Sequence, residues 1–244
     1  MIYKRKPPPD NVRRVRHINK NTYGVTTNKR GRVVQFESEQ ERKLILLLER
    51  DATVNDFTSQ PETFVFTAEN GSNRQYTPDF QIWRTDGQIE LHEVTIAQRR
   101  QTKETIQQRE TAARQICQQR GWIYRVHTEE TLPTGHEYAN LDMLAPFRVE
   151  AYADEEIAAW WVTQLERHAP VHPQTILSHA SAAHANGLLL NTLYHLIWQN
   201  QVHIDWTAPF IWRGSFHLNA RIWLASTRAK TIATAVKQGP EAQQ

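Results

Sequence analysis

Two short acidic motifs, Tyr76-Thr77-Pro78-Asp79-Phe80 and Glu93-Val94-Thr95, flank an Asp86-Gly87 turn in this chain of 244 residues. Phe80 to Arg84 and Ile89 to Ile96 have the aromatic and β-branched content of two strands, and Asp-Gly is a strong hairpin signal between them. Carboxylates delivered from adjacent strands suit a hard divalent cation, and such a cation set against a phosphate supports phosphodiester hydrolysis. Asp79 leaves a turn fixed by Pro78. Glu93 and Thr95, two apart, share a face of the next strand, and the Val94 carbonyl would complete an inner shell. Glu41, on a helix upstream, can reach the same place from the side.

A geometrical condition comes with this reading. A strict two-residue loop at Asp86-Gly87 pairs Arg84 with Ile89, sets Asp79 opposite Val94 and turns Glu93 to the other face. A bulge, a different loop length or diverging strands are needed to bring both acids together. Each acid alone also has a plainer explanation. Glu41 three after Ser38 reads as a capping box, Asp79 as the start of a turn, Glu93 as a solvent-facing strand residue. Their joint occurrence favours the metal reading.

The elements that must position these residues follow from pattern. Ser38-x-x-Glu41 before Leu44, Ile45, Leu46, Leu47 and Leu48 predicts a capped helix ending near Arg50. Thr63-Phe64-Val65-Phe66-Thr67 predicts a strand closed by Asn70-Gly71. A long helix is expected from about Thr102 to Arg120, with Ile106, Ala113, Ile116 and Cys117 inward and Gly121 as its stop. Trp122 to Val126 reads as a further strand. Helix, three strands, helix, strand is an α/β chain in αβββαβ order. After Pro133, Asp154 to Arg167 reads as a helix burying Ile157, Trp160, Trp161 and Leu165. Helices at 175–185 and 188–199 follow, then short strands at 202–206 and 211–218. Helices ending in a small β-ribbon predict a winged-helix-like module. The expected division is a basic arm at 1–34, an α/β domain at 35–148, the helical module at 149–226 and a polar tail at 227–244.

Charge and composition narrow the classes. The net charge is +3, yet Lys4, Arg5, Lys6, Arg13, Arg14, Arg16, Lys20, Lys29, Arg30 and Arg32 fall within residues 1–34 against Asp10 alone. Such an arm fits nucleic-acid phosphates or a solubilising tail about equally, and the acidic motifs favour the former. No apolar run approaches a membrane span, and the basic N-terminus runs into Pro7-Pro8-Pro9 without the apolar core of a signal peptide. The single cysteine, Cys117, fits a packing role in a reducing cytosol. Eleven histidines do not make a zinc site: Pro170 separates His168 from His172, and His179 and His184 miss the spacing of a helical metal pair.

Ser38-Glu39-Gln40-Glu41 with its leucine-rich helix, Gln60-Pro61, Tyr76-Thr77-Pro78-Asp79-Phe80 and Glu93-Val94-Thr95 together resemble the TnsA-type endonuclease subunit of heteromeric transposases, a restriction-endonuclease-like family. The resemblance covers about residues 30–130 and extends only in character to 150–224. It implies that Glu41, Asp79 and Glu93 bind magnesium, with manganese as a substitute, and that Val94 lends its carbonyl. It implies cleavage of the 5′ strands at transposon ends in duplex DNA. A DDE transposase of the TnsB kind and a AAA+ ATPase of the TnsC kind would be the partners. The DNA-facing set is Arg13, Arg14, Arg16, Lys29, Arg30 and Arg32. One residue departs from the pattern. Thr95 stands where the family carries lysine, a loss on the order of 10²–10³ in rate if nothing replaces it. Lys103 is the nearest substitute, whereas Lys43 points away from the face of Glu41. An assembly subunit without cleavage activity and a standalone restriction or repair nuclease are the other readings.

Overall fold

Ser38 opens the first helix as its spacing predicts: the Glu41 N–H donates to Ser38 Oγ at 3.1 Å, and α1 runs over Glu39–Arg50. This is the computed structural model of the chain, and it describes residues 23–68, 70–180 and 186–225, with only the backbone of Asn186. Two units divide at Pro133 and Thr134.

In the first unit a hairpin, β1 (Gly24–Thr27) and β2 (Val33–Phe36), precedes α1. After α1 come β3 (Val54–Ser59), β4 (Phe64–Thr67), β5 (Asn73–Tyr76), β6 (Phe80–Arg84) and β7 (Ile89–Val94). Helices α2 (Ala97–Thr102) and α3 (Glu104–Arg120) lead into β8 (Ile123–His127). The central sheet has the order β3-β6-β7-β8, with β7 and β8 parallel. One apolar cluster joins Leu44, Ile45 and Leu48 of α1 to Phe57, Phe80 and Ile82 on the sheet. On the other face Leu91 packs with Ala113 and Cys117 of α3 and with Phe64 and Tyr76. A helix layer on each face of a largely buried sheet is the arrangement expected of α/β chains.

The αβββαβ order holds, but its first strand is not the expected one. Phe64–Thr67 pairs only with Asn73–Tyr76 in a separate two-stranded sheet. The place belongs to β3, whose polar residues Asp56, Thr58 and Ser59 are all buried and break the alternation that marks a strand. Tertiary partners satisfy them: Asn28 Nδ2 donates to Asp56 Oδ1 at 2.8 Å, and the Gln35 N–H donates to Ser59 Oγ at 3.0 Å. The long helix is also broken. Lys103 is extended, with φ −102° and ψ 104°, so α2 ends and α3 begins around it.

The second unit comprises α4 (Gly135–Leu144), α5 (Glu155–His168), α6 (Pro173–Leu177), α7 (Asn186–Trp198) and the short strands β9 (Val202–Ile204), β10 (Ile211–Trp212), β11 (Ser215–Phe216) and β12 (Ile222–Leu224). The fully buried Trp161 donates its indole N–H to Leu189 O at 2.9 Å. The expected boundary near 148 moves to Pro133 because α4 belongs to this core. Asn140 on α4 donates to Trp206 O and Ala208 O at 3.1 and 2.9 Å and accepts from Phe210 N–H at 3.2 Å. The helix expected at 175–185 is short, with α6 ending at Leu177; residues 181–185 lie outside the described residues, as does the tail beyond Ala225.

Candidate active site

The turn between β6 and β7 decides whether the acids can meet. The Gly87 N–H donates to Arg84 O and the Arg84 N–H to Gln88 O, at 3.1 and 2.8 Å, so Thr85, Asp86 and Gly87 form a three-residue loop. Gly87 takes φ +87°, the left-handed position that such a loop requires. Thr85 joins the loop instead of pairing, and the register becomes Phe80 with His92 and Trp83 with Ile89. Continued one step, it sets Asp79 opposite Glu93, on one face. This is the different loop length that the sequence left open. The pair is also of the non-hydrogen-bonded type, in which facing side chains lie closest. Outward from it, the Gln60 N–H donates to Asp79 O at 2.8 Å and the Thr95 N–H to His127 O at 2.9 Å.

Each acid is engaged by protein groups. Asp79 Oδ2 accepts from the Val94 N–H at 2.7 Å. Glu93 is buried; its Oε2 accepts from the Tyr76 hydroxyl and its Oε1 from Arg109 Nη2, both at 2.6 Å. The Arg109 guanidinium lies over the Tyr76 ring, 5.3 Å from its centroid. Glu41 does cap its helix, accepting from the Glu37 N–H and the Ser38 hydroxyl, both at 2.9 Å. It is not only a cap. Burial, and then the charge of Asp79, push its carboxyl up to about 7. Burial pushes Glu93 up as well; Arg109 and Tyr76 oppose the rise and Glu41 adds to it. Glu41 is therefore repelled by Asp79 and in turn repels Glu93 in a partly desolvated place.

Hard oxygen donors, with the Glu41 and Glu93 carboxyls both raised, fit magnesium or manganese in chemistry. The cage is not assembled: among the described residues no group of three or more His, Cys, Asp or Glu side chains is placed to hold a metal ion. Thr95 is half-buried and brings no charge. Lys103 is exposed at the joint of α2 and α3, and the cation at Glu93 is Arg109 instead. The sequence holds no motif that marks Arg109; only the packing of α3 over β7 reveals it. Gln60 is a second residue with an unassigned role. It is buried, adopts φ +48°, and donates through Nε2 to Glu37 Oε1 at 3.3 Å. A non-glycine residue held in the left-handed region next to Asp79 marks local strain of the kind found at working sites.

The basic residues before α1 divide. Lys29 Nζ donates to Asp51 O and Val54 O at 2.8 and 2.7 Å, Arg30 Nε to Asn55 O at 3.2 Å, and Arg32 pairs with Asp56 at 3.3 Å. These three pin the β1–β2 turn to β3, so each head group is engaged in the fold before any DNA arrives. Arg13, Arg14 and Arg16 lie outside the described residues.

On the opposite face of β7 a polar chain runs under the acids. Glu90 binds Arg84 at 2.8 Å, Arg125 at 3.2 Å and His92 Nε2 at 2.8 Å, and His92 Nδ1 meets His127 Nε2 at 3.0 Å. Burial would raise Glu90, but hydrogen bonds from His92, Arg84 and Arg125 outweigh it and hold the carboxyl well below its usual range. Burial lowers His92 despite Glu90, and burial followed by His92 lowers His127 to about 4. Both imidazoles are therefore neutral near neutrality. They tie β7 to β8 directly behind Glu93.

A mixed sheet with a helix layer on each face and acids at the ends of its central strands is consistent with a restriction-endonuclease-like nuclease. Residues 51–129 match the family model described as TnsA-like endonuclease N terminal. That stretch is a TnsA-like endonuclease domain, related to the nuclease of Tn7 transposition; it contains Asp79, Glu93, Thr95, Lys103 and Arg109 and begins beyond Glu41. No curated protein matches the chain. No helix among the described residues is long and apolar enough to cross a membrane.

Proposed function

We propose that the chain is the metal-dependent DNA endonuclease subunit of a heteromeric transposase, cutting the 5′ strands at the ends of its element. The observation that carries this is the register of β6 and β7, which sets Asp79 and Glu93 on one face inside the matched stretch, with Glu41 electrostatically coupled to both. Glu41, Asp79, Glu93 and the Val94 carbonyl would hold magnesium. The bound ion would polarise the phosphoryl oxygen and acidify an attacking water. Arg109 supplies the positive charge that Thr95 lacks. A guanidinium does not act as a base at ordinary pH, so its part is to hold Glu93 and to stabilise charge on the phosphate.

The second unit is read as a winged-helix-like docking module. Helix α5, an isolated bridge at Val171, α6, α7, β9, the β10–β11 ribbon and β12 follow in that order, and Val171 and β9 both pair with β12. Its charge argues for a protein partner over DNA. Between Thr134 and Ala225 four arginines and no lysine stand against eight acidic residues, which disfavours phosphate. The AAA+ ATPase is the partner proposed for this unit, with the DDE transposase acting beside the nuclease unit on the same DNA end.

The test is strand cleavage. The purified chain with its transposase, an element end and magnesium should nick the 5′ strand, and Asp79→Asn should abolish that nick while leaving the complex assembled. A cleavage pattern indifferent to Asp79→Asn favours the assembly subunit, the reading supported by Thr95 and by the unassembled cage. Nicking that needs no transposase would point to a standalone nuclease.

A further inference from the structure

A groove of about 710 Å³ lies between β4 and α3, away from the acids. One wall is a strand edge. The Ala68 N–H donates to Ser72 O at 2.9 Å, and with the register Thr67 to Asn73 and Phe66 to Arg74 this fixes the alternation of the ladder. Phe64 and Phe66 exchange hydrogen bonds with β5, while Val65 and Thr67 turn their N–H and C=O groups to the open side. Strand β4 has no second neighbour among the described strands, and Val65 is 63% exposed. An exposed strand edge of this kind is a template for pairing.

The other wall is one face of α3, where Gln107, Gln108, Thr111, Gln115 and Gln119 line the groove, with the Glu104 carboxylate at one end. Gln108 donates through Nε2 to Glu104 at 2.7 Å, but its Oε1 is buried with no hydrogen-bond partner. A buried acceptor left unmatched is costly until a donor arrives. No lysine or arginine lines the groove, so it has nothing to offer a phosphate backbone. An edge presenting main-chain groups, facing a wall of four amides whose one charge, Glu104, already accepts from Gln108, matches an extended peptide.

We propose that this groove docks an extended segment of a partner protein, rich in uncharged polar side chains, as a third strand beside β4. Main-chain bonds to Val65 and Thr67 would hold it, and a side-chain or backbone donor would satisfy Gln108. The proposal does not depend on the nuclease reading, because none of its residues belongs to the acid site.

The test pans a random-peptide display library against the full chain and measures the enriched peptides by fluorescence anisotropy. Val65→Pro deletes an N–H that β5 does not use, so the hairpin should persist, as an unchanged melting temperature would verify. Thr111→Arg fills the groove from the helix side and serves if the proline variant does not fold. The expected result is enrichment of Asn, Gln, Ser and Thr with few charges, an affinity loss of about tenfold or more in either variant, and slowed hydrogen exchange at Val65 and Thr67. Nicking by Val65→Pro should equal that of the parent. Failure to enrich any peptide, binding indifferent to both variants, or protection of these amides by an oligonucleotide in place of a peptide would each overturn the proposal.

Discussion

Glu41 caps α1 and also faces Asp79 across a partly desolvated space, and pH separates the two roles. Its folded value of about 7 lies above the ordinary 4.5, so between those values the folded chain holds a proton that the unfolded chain has released. Stability contributed by this group is therefore lost as pH rises through that window. Glu41→Gln should gain on the parent from about pH 5 to about pH 8, by on the order of 1–3 kcal/mol, read as melting temperature against pH. A flat difference would remove the case for repelling acids. Arg109 carries the second expectation at this scale. Arg109→Gln should slow single-turnover nicking on the order of 10²–10³-fold, with Arg109→Lys recovering part, while Lys103→Gln stays within about threefold. The reverse ranking would return the missing lysine to Lys103. The acids were legible because strand chemistry and a turn surround them. Arg109 was not, since it sits six positions beyond Lys103 on a helix whose docking no local pattern encodes.

Three hairpins of one design shape the nuclease unit, the Asn28, Ala68 and Arg84 N–H groups each donating to the carbonyl four residues on, and their loops were harder to read than their strands. Asp-Gly announced a turn correctly, yet whether Thr85 pairs or joins the loop is decided by the ladder as a whole, and that choice moves Glu93 between faces. Gly87→Ala meets no atom within 4 Å of the new Cβ, so its cost is backbone strain alone, about 1 kcal/mol in chemical denaturation. A neutral result would mean that the loop adopts another form. Strand β3 was missed for a related reason: its buried Asp56 and Ser59 are explained by Asn28 and Gln35, residues more than twenty positions away. The His92–His127 tie makes a prediction of opposite sign to that of Glu41. Both imidazoles are lowered on folding, His127 to about 4 from 6.5. The unfolded chain then takes up protons first, and stability is lost as pH falls from about 6.5 toward 4. His127→Gln should flatten that acid limb of the melting curve, and an unaltered limb would show that the pair stays outside the titration.

Charge divides along the chain as the two units do. Residues 1–133 hold 22 Lys and Arg against 17 Asp and Glu, and residues 134–244 hold 7 against 9. Photo-crosslinking of the full chain on a duplex end should therefore mark only residues before Thr134, with crosslinks to the ATPase confined to the second unit. DNA crosslinks on α7 would refute that assignment.

The struts made by Lys29, Arg30 and Arg32 set a ceiling on how strongly ions in solution can compete with the N-terminal segment. Seven of its ten cations remain for phosphates once those three are anchored to β3. At about 0.9 counterions released per neutralised phosphate, deleting residues 1–22 can shift the log–log slope of duplex affinity against salt by no more than about 6, where all ten would give about 9.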